Sequence, residues 1–258
     1  MSRCAMNSRR KNELKAKAAQ LAALLRSEMQ LNDNHPLNVL QVLEAKGVQA
    51  LFRPMKDGSS GMAIRVGNEE DKLLFMMVNT NKALGHQRFT SCHEFYHLFY
   101  QEDFSCIREK TSMFDDSNEE EYVADWFASY LILPKAALDI SVPVLEQRMN
   151  AIRLATLLKI EQHYKCSRKN LLFRLKDNGW IDSDMFDLYS VSVKKGALSY
   201  GYSTALYDET GTSYFVGDYN RKARKLFEEG VISQSKYFSL LRDIGIEADK
   251  AVEEDGEV

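Results

Sequence analysis

From Asn12 to Met29 apolar residues recur at a spacing near 3.6 among alanine, lysine and glutamate, the pattern of a helix with one buried face. The break Leu31 to Pro36 ends it, and Pro36 in a first turn opens a second helix that runs to Lys46 and closes at Gly47. The period then shortens. Val48 to Pro54, Gly61 to Val66 and Lys72 to Asn79 read as three strands separated by polar turns, which predicts a small antiparallel sheet. The third run is almost continuously apolar from Leu73 to Val78, which suits a plain core strand or one whose edge pairs with an extended peptide. A helical pattern returns at Arg88. Gln101 to Asp116 is charged and irregular and lies between two helices, so it is either a gate at the mouth of a site or a solvated connection.

The next helix runs from Ser117 to Pro134, with Ser117 and Glu120 spaced as a capping box and Pro134 as the stop. Val144 to His163, the turn Tyr164 to Ser167 and a capped segment to Lys176 have helix-turn-helix spacing. Asn178 to Asp182 reads as a boundary. Beyond it the pattern predicts a hairpin of Leu188 to Val193 and Leu198 to Tyr207, a short strand at Ser213 to Val216, and helices at Asn220 to Glu229 and Ser233 to Ile244. The acidic end, Glu253 to Glu257, has the composition of a disordered tail. The expected division is a core at 1–140, a helical segment packed on it at 141–182, and a C-terminal region of hairpin and helices at 183–258.

Composition narrows the function. The 258 residues are 45% hydrophobic, enough for a substantial core, and 34 basic against 37 acidic residues give a net charge of -3. No global field draws such a chain to nucleic acid or anionic lipid. There is no apolar run of membrane-spanning length, and the basic start lacks the apolar stretch of a signal peptide, so a cytoplasmic protein is expected. The four cysteines form no Cys-x-x-Cys pair and read as reduced thiols; Cys92 is taken as a small buried hydrophobe rather than a ligand or redox switch.

The chemistry gathers in Arg88 to Tyr100, which contains His93-Glu94-Phe95-Tyr96-His97. At about 100° per residue, His93 and His97 point within about 40° of each other and can reach one ion. Glu94 stands about 60° beyond His97, beside the metal rather than on it, where a general base belongs. In the following helix Glu121, Asp125 and Ala128 share one face, with Ala124 at its edge, while Val123, Phe127, Tyr130 and Leu131 make an apolar stripe. The alanines permit close approach to the histidine helix. Glu121 would complete two histidines and a carboxylate, leaving a fourth position for water, and Asp125 would accept the second ring N–H of a ligand histidine.

Together the two stretches resemble the ImmA/IrrE family of zinc metallopeptidases, in which Arg-Phe-Thr-x-x-His-Glu-x-x-His precedes Glu-x-x-Ala-(Asn/Asp)-x-Phe-Ala-x-x-Leu-Leu-x-Pro. The chain departs at Phe95 and Tyr96, where the family often has Leu-Gly, and at Ile132; every proposed ligand is retained. The resemblance implies an α+β fold with a zincin-like catalytic core, one Zn2+ per chain held by His93, His97 and Glu121, and Glu94 as base. It also implies a narrow protein substrate, typically a helix-turn-helix repressor cut to switch on mobile-element or stress-response genes.

Other readings stand beside this one. His163 or Tyr164 would suit an oxyanion donor if the fold brought either to the cleft. Ser167, Arg168, Lys169, Arg174 and Lys176 suit either a DNA-reading helix or a helix packed on the core, and the neutral overall charge favours packing. A non-catalytic regulator with structural or sensory zinc would have no use for Glu94. A cysteine hydrolase built on Cys92 or Cys106 lacks a separate histidine and an orienting carboxylate.

Overall fold

The structure is a computed structural model that describes residues 6–56, 58–67, 72–102, 104, 106–108, 114 and 118–246. Cys4, Ser117 and the acidic end lie outside the described residues.

Helix α1 (Ser8–Glu28) buries Leu14, Ala18, Ala22 and Leu25, a stripe of one residue per turn. Arg26 closes it from inside. Its guanidinium donates to the carbonyls of Asn32, His35 and Leu131, tying the break after α1 to the end of a later helix. Helix α2 (Val39–Ala45) starts later than the Pro36 expected from the sequence, because the Asn38 side chain accepts the amides of Leu40 and Gln41 and sets the first turn there.

Three strands follow, β1 (Gln49–Arg53), β2 (Gly61–Val66) and β3 (Leu73–Asn79), then α3 (Leu84–Phe99) and a short β4 (Cys106–Arg108). With a late strand, β5 (Tyr214–Val216), the sheet has the order β4-β2-β3-β1-β5. The sheet is mixed, not antiparallel: β1 and β3 run parallel, from Gln49↔Phe75 to Arg53↔Asn79, while β2 and β3 pair antiparallel. β3 therefore lies at the centre with both edges taken, and its unbroken apolar run reflects that position rather than an edge open to a peptide. The edge beside β2 belongs to β4, inside the stretch that the sequence presents as irregular.

Helix α3 packs on β2 and β3 and is buried along most of its length. Helix α4 (Glu119–Ile132) lies against both α3 and α1, and Val123, Ala124, Phe127, Ala128 and Leu131 are fully buried. Its cap is Asn118, whose side chain accepts the Glu120 amide; Glu120 itself accepts the Tyr96 hydroxyl at 2.6 Å instead of closing a capping box. Pro134 ends the helix as expected.

Helices α5 (Lys135–Ser141), α6 (Val144–Met149), α7 (Leu154–Tyr164) and α8 (Arg168–Asp177) come next. The single helix expected over Val144 to His163 is broken at Asn150, which is left-handed. Buried Glu146 fixes the break by accepting the Arg153 amide and guanidinium and the Thr156 hydroxyl. Ser167 caps α8 as the sequence implies. Residues of α7 and α8 belong to the same apolar core as the sheet and α3, and Arg174 is buried with its guanidinium 4.0 Å from the centre of the Tyr130 ring.

Where a hairpin is expected, the chain forms α9 (Ser183–Ser190) and α10 (Val193–Ser199). Asp182 caps α9 by accepting the Met185 amide, and Phe186 packs edge-on against Phe173 of α8. Left-handed Ser192 separates the two helices. After a 3-10 turn at Ala205–Tyr207, β5 (Tyr214–Val216) pairs antiparallel with β1, and α11 (Tyr219–Glu228) and α12 (Gln234–Asp243) form a satellite core around Ala223, Tyr237 and Leu241. Among the described residues, no helix is long and apolar enough to cross a membrane.

Candidate metal centre

The one-turn spacing of His93 and His97 and the approach of α4 bring three ligand atoms together. His93 Nε2 lies 3.0 Å from His97 Nε2 and 3.2 Å from Glu121 Oε2, and His97 Nε2 lies 3.7 Å from the same carboxylate oxygen. All three groups offer atoms within 4.8 Å of one another, a set that could hold a metal ion. Glu121 sits in the first turn of α4, where the helix dipole favours an ionised carboxylate. Both histidines are almost fully buried, while the Glu121 side chain keeps 19% exposure and marks the solvent side of the group.

The outer ring nitrogens are engaged as well. His93 Nδ1 is 2.8 Å from Asp125 Oδ1, and the other Asp125 oxygen accepts the Phe114 amide. His97 Nδ1 faces Gln101 Oε1, and Gln101 is itself held by its carbonyl, which accepts Arg65 Nη2 at 2.7 Å. A neutral imidazole that donates its Nδ1–H outward to these acceptors turns its Nε2 lone pair inward, the tautomer that metal ligation needs. The donor set of two imidazoles and one carboxylate fits a borderline cation such as zinc. Burial alone would lower the His93 imidazole, but its bonds to Asp125 and Glu121 raise it to about 10. The two histidines likewise hold Glu121 near 2 against its own burial. Proton and metal thus compete for one place. Replacing Asp125 or Gln101 by alanine is expected to weaken metal affinity by roughly 10–100-fold, read by chelator competition. Unchanged affinity would mean that these bonds do not orient the rings.

Glu94 is buried, neither carboxylate oxygen has a hydrogen-bond partner among the described residues, and burial pushes it up to about 8. The space around it is set by Gly61. A Cβ there would stand 2.5 Å from Thr90 Cγ2, 3.0 Å from the Met77 carbonyl and 3.1 Å from Glu94 Oε1, so β2 can lie this close to α3 only with glycine. Gly61→Ala is expected to cost about 1–3 kcal/mol of stability, checked by chemical denaturation.

Other candidates lie elsewhere. His163 Nε2 is 3.1 Å from the Asn34 carbonyl, and Tyr164 is buried in the main core with the His163 ring edge against it; neither has a hydrogen bond to the ligand group. Cys92 is fully buried and its thiol is pushed up to about 12, which agrees with a packing role. In α8, Arg168 and Arg174 are buried, so half of the basic set that a DNA-reading helix would present faces inward. Gln101 is the participant that the sequence does not announce. Its signal is faint: it follows His97 by one helical turn, but from just beyond the helix end.

Two buried histidines on a helix laid across a mixed sheet, met by a carboxylate from the next helix, define a metal-site architecture of the zincin type. Residues 43–176, more than half of the chain, match the IrrE N-terminal-like domain of a peptidase family, and the chain belongs to that family. The ligand group, Glu94, Asp125 and Gln101 all fall within the matched span. No curated protein matches the chain.

Proposed function

We propose that the protein is a zinc-dependent endopeptidase of the cytoplasm that cleaves a specific regulatory protein, such as a helix-turn-helix repressor. The observation that carries this reading is Glu94: a fully buried carboxylate one residue from a converging ligand group, with no hydrogen-bond partner among the described residues, suits a chemical role better than a structural one. His93, His97 and Glu121 would hold the ion, with Asp125 and Gln101 fixing the imidazoles. Zinc in such a site supplies a Lewis acid for the scissile carbonyl and brings the pKa of water toward about 7. Glu94 takes the proton from the attacking water and returns it to the leaving amine. Its raised pKa suits both transfers, because a base that is also to act as an acid works best near the ambient pH. The repressor-like substrate rests on the ImmA/IrrE resemblance.

Zinc content tests the reading. The purified chain should carry about one zinc, lost in Glu121→Ala and kept in Glu94→Gln. A wild-type chain that takes up no zinc when it is supplied would overturn the proposal.

A further inference from the structure

A cavity of about 720 Å³ opens beside the N-terminal half of α3. Its wall includes His86, which precedes His93 by seven residues. Two turns of helix bring His86 back to within about 20° of the direction of His93, roughly 10 Å along the axis, so cavity and ligand group share one face of α3. His86 Nε2 contacts Ser60 Oγ at 2.9 Å, and the next residue, Gly61, packs against Glu94.

The lining of this cavity contains three lysines and an arginine and no acidic residue. Two of these cations are already matched: Arg168 turns inward to Glu161, and Lys194 pairs with Asp208 at 2.6 Å. Lys169 and Lys195 are exposed and have no carboxylate partner among the described residues. The first turn of α8, capped by Ser167, adds the positive end of its dipole at the same wall. His86 contributes no charge at neutral pH, because burial and then the fields of Lys82, Lys169 and His93 lower it to about 4. The rest of the wall mixes apolar Phe186, Val193 and Leu206 with the hydroxyl-bearing Ser190, Ser192 and Tyr207. A positive, partly apolar chamber in a chain of net charge -3 calls for an anionic side chain on a peptide. An extended peptide covers 10 Å in about three residues.

We infer that this cavity is a substrate subsite that receives an acidic side chain, about three residues from the bond to be cut, with Lys169 and Lys195 as its charge partners. The inference rests on the peptidase reading for its meaning, but not for its test. Fluorescein-labelled Gly-Glu-Glu-Glu-Gly and Gly-Gln-Gln-Gln-Gly peptides are titrated into the full chain, both zinc-loaded Glu94→Gln and metal-free wild type, and followed by anisotropy. The glutamate peptide should bind about tenfold tighter than the glutamine peptide, with the difference shrinking as salt is raised. Lys169→Glu with Lys195→Glu should erase the difference. Lys225→Glu with Lys236→Glu, the same charge change outside the cavity, should leave it.

Equal binding of the two peptides, or equal loss in both double variants, overturns the inference. So does full displacement of the glutamate peptide by millimolar inorganic phosphate, which marks a small-anion site, or tighter binding of a 20-base-pair duplex through the same lysines. With the wild-type zinc enzyme and a peptide library, the Lys169 and Lys195 variant should raise KM for acidic substrates with kcat unchanged. If no library peptide is cut, the peptidase reading fails while the anisotropy result still decides the subsite.

Discussion

Glu94→Gln is expected to abolish cleavage, by roughly a hundred- to ten-thousand-fold, while metal content stays at the wild-type level. The carboxylate is not among the three groups whose ligand atoms converge, so its loss should leave the metal group standing. Glu94→Leu should go further and raise the stability of the metal-free chain. Both Glu94 oxygens are buried without partners among the described residues, a state that costs about 1–3 kcal/mol and that an apolar side chain of similar size relieves. The glutamine amide leaves its own polar atoms unmatched, so the two variants separate the chemistry from the strain. Cleavage assays and thermal unfolding of the metal-free proteins measure the pair. Cleavage by Glu94→Gln at the wild-type rate, or a lower unfolding midpoint for Glu94→Leu, would contradict the assignment. A stabilised Glu94→Leu would show function maintained at the expense of stability, as is common at active sites.

The second large effect is structural. Arg168→Ala should destabilise the chain by about 3–5 kcal/mol, because it strands a buried charge. Glu161 is fully buried, and the Arg168 guanidinium grips both of its oxygens while donating to the Tyr189 carbonyl at 3.0 Å. Without the arginine, Glu161 keeps, among the described residues, only the Tyr207 hydroxyl at 2.7 Å. Burial already raises the Glu161 carboxyl despite these partners, so the variant should hold it protonated and loosen α9 and the 3-10 turn together. Denaturant titration reads the loss. Replacing the pair jointly, Glu161→Gln with Arg168→Met, should recover most of it, since an uncharged pair avoids the desolvation of both ions. A single variant as stable as wild type would show that water reaches Glu161.

What could be read from the sequence follows the reach of each signal. His93, Glu94 and His97 lie within five residues on one helix, so spacing alone orients them. Glu121 became legible because α4 has a clear apolar stripe that leaves one face for carboxylates. Ser117 and Asn118 are both good caps, and one position of ambiguity is beyond propensity. The parallel pairing of β1 with β3 is a non-local choice, made by which edges remain free, and no run of residues encodes it. In Leu188 to Val193 a window of six residues fits a period of two as well as one of 3.6; the Asp182 cap and the Phe173–Phe186 contact decide for helix. Gln101 was hidden for a related reason: a polar residue in a charged stretch acquires meaning only once Arg65 has fixed its backbone.

The pairing of β5 with β1 bears on how much of this chain can stand alone. Phe52 and Ala50 in β1 are shielded by a strand that arrives more than 160 residues later, with the Tyr214 ring stacked on Phe52 at 4.5 Å. A fragment cut to residues 43–176 would leave a row of unpaired amides and carbonyls along β1, flanked by apolar side chains, and would lose α1 from the back of α4. Such a border recruits other chains. The late strand thus closes an edge that would otherwise invite self-association, and the folded unit is larger than the stretch that carries its motif.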